Sequence, residues 1–197
     1  HPVNKKRQKR NLPQANGIWL FWGSGPLPSL PVFKEQYGLK AAITSAVDLL
    51  NGLGQMTGME ILKIKGVTDG LDNAFSVQVK GALAALKKKD LIIIHIEAPD
   101  EMGHAGNIEG KVKAIEKIDE EVLSCLSEYK GELRLLVTPD HPTPIALRTH
   151  VAEAVPFLLV GQGFKANGAA AFSEAEAKKT GLVIEPGFGI MEKLVRE

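Results

Sequence analysis

Leu91-Ile92-Ile93-Ile94-His95-Ile96-Glu97-Ala98-Pro99-Asp100-Glu101-Met102-Gly103-His104 is the stretch on which the reading of the chain turns. Its first six positions form an almost continuous aliphatic run, the pattern of a strand covered by helices on both faces of a parallel sheet. A polar loop from Asp100 to Asn107 is expected next, and it carries Asp100 and His104 four residues apart. Loops after the carboxyl ends of parallel strands open on one side of a sheet, where ligands collect.

Leu133 to Val137 repeats the arrangement, with Asp140 and His141 beyond the strand and His150 closing the loop that begins there. Two aspartates and three histidines after two strands exceed what turn chemistry or solubility requires, and such a group of titratable side chains calls for a counter-ion. Carboxylate with imidazole suits Zn²⁺, Mn²⁺ or Fe, and Mg²⁺ at an oxygen-rich position. Two divalent ions about 4 Å apart neutralise a phosphoryl group, activate the attacking oxygen and stabilise the leaving one. Phosphoryl transfer fits that set, as does simple hydrolysis. Singly, each residue has a plainer reading: a lone loop histidine is an ordinary surface residue, and Asp140-His141 suits a turn.

Outward from these loops, strands and helices alternate. Strands are expected at Gly17 to Trp22, Ala41 to Thr44, Ile61 to Ile64 and Pro156 to Val160 as well. Helices are expected from Ser45, with Ser45 and Asp48 as a capping box, from Asp72 to Lys88, from Ile108 to Tyr129 and from Gly187 to Val195. The long helix should bury Val112, Ile115, Ile118, Val122 and Leu126. The fold class is α/β: a three-layer α/β/α sandwich on one parallel-dominated sheet.

Other residues have competing readings. His95 inside the aliphatic run reads as a core histidine with a bonded partner, and Glu97 as a group that orients a ligand from outside the first ring of donors. Arg148 is a phosphate clamp or an exposed loop arginine, and Lys40 carries the same pair of readings. Gly23-Ser24-Gly25 reads more readily as a turn than as a phosphate loop.

Composition sets the outer bounds. A formal charge of +1, 44% hydrophobic and 24% charged residues describe an ordinary globular domain and give no global field for nucleic acid or membrane partners. Lys5, Lys6, Arg7, Lys9 and Arg10 form a local basic run. A single cysteine, Cys125, sits at helical core spacing, excludes an intrachain disulfide and suits packing in a reducing, cytoplasmic setting.

His95 to Asn107, followed by Lys111 to Asp119, resembles the archaeal-type cofactor-independent phosphoglycerate mutases of the alkaline phosphatase superfamily. Thr138-Pro139-Asp140-His141, Arg148-Thr149-His150, His1-Pro2-Val3-Asn4, Ala15 to Trp19 and Asp72-Asn73 agree with the same pattern. The resemblance implies an alkaline-phosphatase-like fold and interconversion of 3- and 2-phosphoglycerate through a serine relay, without bisphosphoglycerate. It implies two divalent ions (Mn, Zn, Mg or Co), with Asp100, His104 and His150 at one and Asp140 and His141 at part of the other. Arg148 and Lys40 become candidate grips on a small phosphorylated substrate.

The family opens with a metal-binding aspartate and a nucleophilic serine that this sequence does not match, so no catalytic nucleophile is assigned; Ser24 and Ser45 lie in the wrong context. Residues 1–15 are expected to be a return linker from an insertion domain and 16–197 the C-terminal part of an incomplete phosphotransferase domain. A further segment of the protein, or a homo-oligomer, should cover the open edge of the sheet. Alternative readings are a homoserine-kinase-like or phosphonate-directed phosphotransferase, or a non-catalytic metal- or ligand-binding domain.

Overall fold

Ala41–Thr44 (β1) is buried at all four positions and organises the parallel sheet around itself. The computed structural model describes every residue except Phe21, Trp22, Ser24 and Glu197. Before β1 come two short helices, α1 (Pro2–Gln8) and α2 (Phe33–Tyr37), the second unforeseen from sequence. After it, α3 (Asp48–Met56) leads to β2 (Glu60–Ile61) and α4 (Phe75–Leu86) to β3 (Leu91–Ile94). The strand order is β2-β1-β3, both pairings parallel, with Ala42 opposite Glu60 and Ala41 to Thr44 opposite Leu91 to Ile94.

Helix α5 (Ala98–Ala105) occupies what the sequence reading took for a loop. The signals are all present: Pro99 in the first turn, Asp100 and Glu101 at the positive end of the helix dipole, His104 at its negative end and Gly106 in the left-handed conformation after the last turn. They were masked by the apparent role of Asp100 and His104 as loop residues.

Helix α6 (Ile108–Lys117) continues through a π-helical turn (Ile118–Leu123) into α7 (Ser124–Ser127). Val112 and Ile115, expected inside, are 50% and 53% exposed. The inward positions are instead Gly110, Ala114, Ile118, Val122 and Leu126, an unbroken step of four. At 3.6 residues per turn such a stripe drifts by about 40° per step, and the wider π turn takes up the drift. Helix α4 is rotated in a similar way. Val77 lies outward, while Phe75, Gln78, Val79 and Ala82 are buried; the Gln78 amide faces inward because it has polar partners there.

One correction concerns the sheet. Strands β4 (Leu135–Val137) and β5 (Leu158–Val160) pair antiparallel with each other, Leu136 opposite Leu159, and form a separate ribbon among the described residues. A parallel return needs a crossover, usually helical; residues 138–157, with prolines at 139, 142, 144 and 156, form no helix. The α/β class with its parallel sheet stands. The N-terminal apolar run also differs: Gly17 to Leu20 form no strand, and Ile18, Trp19 and Leu20 are 81–87% exposed. Phe21, Trp22 and Ser24 lie outside the described residues. The chain ends in α8 (Glu174–Thr180), missed from sequence, a 3₁₀ turn (Gly187–Gly189) and α9 (Ile190–Arg196). Among the described residues no helix is long and apolar enough to cross a membrane.

The main core joins α4, α5, α6 and the π turn around Phe75, Val79, Ala98, Ala114, Val122 and Leu126, with Cys125 packed against it. The helix from Ser45 starts later than expected. Val47 precedes α3 without a side-chain cap, because the Ser45 hydroxyl accepts from Val47 N–H and contacts His95. Gly54, which weakens α3 on propensity alone, is required by packing: a Cβ there would stand 2.7 Å from Ile43 Cγ2 and 2.8 Å from Ile61 Cδ1. Gly54→Ala therefore sets an overpacking cost of about 1–3 kcal/mol against a helix gain of about 1 kcal/mol. A net loss of stability in denaturant titration is expected.

Candidate metal centre

Helix α5 presents Asp100 and His104 one turn apart, with His104 Nε2 3.2 Å from Asp100 Oδ2. The loop after β4 brings in the rest. His150 Nε2 stands 3.4 Å from Asp100 Oδ1 and 3.0 Å from His104 Nε2. The His141 ring stacks on that of His150 with centroids 3.7 Å apart, and Asp100, His141 and His150 each offer a ligand atom within 4.8 Å of the others. Four of the five residues read from sequence thus converge. Asp140 stands at the margin, its side chain 73% exposed and its carboxylate 3.5 Å from His141 Nε2.

Hydrogen bonds fix which atoms are offered. His104 Nδ1 lies 2.9 Å from the Arg148 carbonyl, which can only accept. The N–H of a neutral His104 ring is therefore spent there, and its Nε2 lone pair faces Asp100 and His150. The donor set, one carboxylate with two or three imidazole nitrogens, fits a divalent transition ion on chemistry and on convergence.

Loop and helix are locked together at Thr143, which sequence reading missed. Its hydroxyl bonds Asp100 Oδ1 and lies 3.3 Å from His141 Nδ1, while its carbonyl accepts from Lys111 Nζ at 2.7 Å. Gly103 permits this approach: a Cβ there would come within 2.7 Å of the Thr143 carbonyl oxygen. Proline on both sides of Thr143 was the available signal.

Arg148 has a backbone φ of 53°, uncommon without glycine. Its guanidinium lies against Gly106, where a Cβ would stand 2.5 Å from Nε. Lys40 is not brought to the cluster. It precedes β1, at the opposite end of that strand from Ser45, and its backbone N–H donates to Asp90 Oδ2.

On the other side of Asp100, oxygens of Glu97, Asp100 and Glu101 lie within 4.8 Å of one another. Glu101 was not read from sequence, although helical spacing from Pro99 places it beside Asp100. Burial first, then the charges of Asp100 and Asp140, push the Glu97 carboxyl above its ordinary range. His95 is bonded to Ser45 and Glu97, and burial holds its pKa below the ordinary histidine value. A groove of about 690 Å³ opens beside Ser45 at the carboxyl ends of β1 and β2, bordered by Asp48, Asn51 and Lys63.

A family model described as the metalloenzyme superfamily matches residues 2–188. The chain belongs to that superfamily. A 2,3-bisphosphoglycerate-independent phosphoglycerate mutase of Methanothrix thermoacetophila is 46% identical over 98% of this chain and 48% of its own length. Among solved structures, a protein of Pyrococcus horikoshii superposes with a TM-score of 0.72 at 29% identity, over 76% of this chain and 46% of its own. The cofactor-independent phosphoglycerate mutase of Thermoplasma acidophilum gives 0.69 at 23% identity, over 98% and 46%, a likeness of fold. The chain spans about half the length of the curated relatives it matches.

In this member of the superfamily, Gly103→Ala should push Thr143 away from Asp100. Isothermal titration with Mn²⁺ or Zn²⁺ is expected to show affinity about 10- to 100-fold weaker, the cost of losing an outer partner.

Proposed function

We propose that the longer protein to which these residues correspond interconverts 3-phosphoglycerate and 2-phosphoglycerate, and that this chain supplies most of its metal-binding half. The observation that carries the reading is the convergence of Asp100, His104, His141 and His150 within hydrogen-bonding or stacking distance. The relatives' names support the substrate; the chemistry of the donor set supports phosphoryl transfer.

On this reading Asp100, His104 and His150 hold one divalent ion, and Asp140 with His141 contributes to a second. Bound there, the ions would supply positive charge for a transferring phosphoryl group and lower the pKa of a coordinated hydroxyl. The chain's own residues do the rest. The Arg148 carbonyl holds the His104 ring in the orientation that presents Nε2, and Thr143 holds Asp100. The exposed Arg148 side chain provides a cation beside the cluster for a phosphate or carboxylate oxygen, where a bidentate grip favours arginine. The phosphorylatable serine and the remaining ligand of the second ion belong, in this reading, to a segment beyond these 197 residues, and residues 1–15 to the linker that leads back from an inserted domain.

Full-length protein assayed with Mn²⁺ should convert 3- to 2-phosphoglycerate without added bisphosphoglycerate. Turnover of homoserine or a phosphonate instead would reassign the substrate, and no turnover with any divalent ion would remove the reading. His104→Ala should lower metal content by elemental analysis and abolish conversion, an effect larger than the about 10- to 100-fold cost of an outer partner. Unchanged metal content and rate would show that His104 holds no ion.

A further inference from the structure

His95 is held through its backbone and through both nitrogens of its ring. Its backbone N–H donates to the Thr44 carbonyl at 2.9 Å, and its own carbonyl accepts from Gln78 Nε2 at 3.0 Å. Its ring bridges Ser45 Oγ, 2.9 Å from Nδ1, and Glu97 Oε2, 3.1 Å from Nε2. A carboxylate accepts only, so Nε2 carries the proton, Nδ1 accepts from the Ser45 hydroxyl, and Ser45 in turn accepts from Val47 N–H at 3.0 Å.

The chain of bonds is anchored deep in the fold. Gln78 is fully buried, its Nε2 also lies 3.3 Å from Thr44 Oγ1, and its Oε1 accepts from Asn73 Nδ2 at 2.9 Å. Asn73 Oδ1 accepts from Thr68 N–H at 3.0 Å. On the His95 side the bonds reach the Glu97 carboxylate, whose side chain is only 21% exposed and which faces Asp100 and Glu101.

We infer that Glu97 is a further carboxylate of the metal centre and that His95 and Ser45 are its positioning residues. The inference rests on the reading of the Asp100 cluster as a cation site and goes beyond the five residues expected from sequence. The oxygens of Glu97, Asp100 and Glu101 approach within 4.8 Å of one another, and a cation beside them would offset the repulsion that protonation of one carboxyl otherwise relieves. Glu97 is held in that company by a bond that restricts its rotation, as outer partners orient the carboxylates of metal sites.

The test uses Co²⁺ in the full-length protein, read by its visible d–d absorption and by competition for affinity. Glu97→Gln, nearly isosteric, should shift the absorption band and weaken Co²⁺ binding about 10- to 100-fold. His95→Ala should do the same in part. His95→Gln should restore the parent spectrum, because its amide can accept from Ser45 and donate to Glu97. If Glu97→Gln and His95→Ala leave spectrum and affinity unchanged and His95→Ala merely lowers the melting temperature, the chain of bonds is structural and the inference is overturned. A parent protein that takes up no Co²⁺ overturns the cation reading along with this one. Co²⁺ uptake that is lost in His104→Ala but indifferent to Glu97→Gln overturns this inference alone.

Discussion

Asp100 is the point on which two separate excursions of the chain are pinned together. Its carboxylate receives the Thr143 hydroxyl, stands 3.2 Å from His104 and 3.4 Å from His150, and shares its other flank with Glu97 and Glu101. Without this residue the loop after β4 loses its Thr143 bond to α5 and keeps the contacts of His104 with Arg148 and His150 and of Lys111 with Thr143. Glycine makes the contact possible, since only a residue without a side chain at position 103 lets the loop backbone come so close.

Beneath the cluster, the fold provides a rigid base by satisfying polar groups rather than excluding them. Gln78 and Asn73 are buried, yet each amide has partners. A fully satisfied buried network specifies one arrangement of its members, where an apolar replacement would tolerate several. Here the arrangement fixes the junction between β1 and β3, and hence the start of α5.

The parallel sheet and the two segments that carry the aspartate and histidine cluster were legible because aliphatic runs and clustered aspartate and histidine are local signals. Ala41 to Thr44 was read without error for that reason. Helix α5 stands where a loop is expected although its start and stop residues are in the sequence, because eight residues are too few to show an apolar stripe at helical spacing. The antiparallel pairing of β4 with β5 was not legible: strand direction depends on the path of residues 138–157, which no periodicity encodes. Thr143 and the Ser45–His95–Glu97 bonds escaped for a related reason. They join positions up to 50 residues apart, and spacing within one segment says nothing about such pairs.

The step-of-four stripe on α6 has a cost on the other side of the helix. Ile108, Val112 and Ile115 follow one another at helical intervals and are 65%, 50% and 53% exposed. Fully burying a side chain of this kind is worth about 1.5–3 kcal/mol relative to water, so much of that transfer energy is forgone. The flanking Glu109, Lys113 and Glu116 are exposed as well, so this oily ridge is bordered by charge on the face turned away from the core.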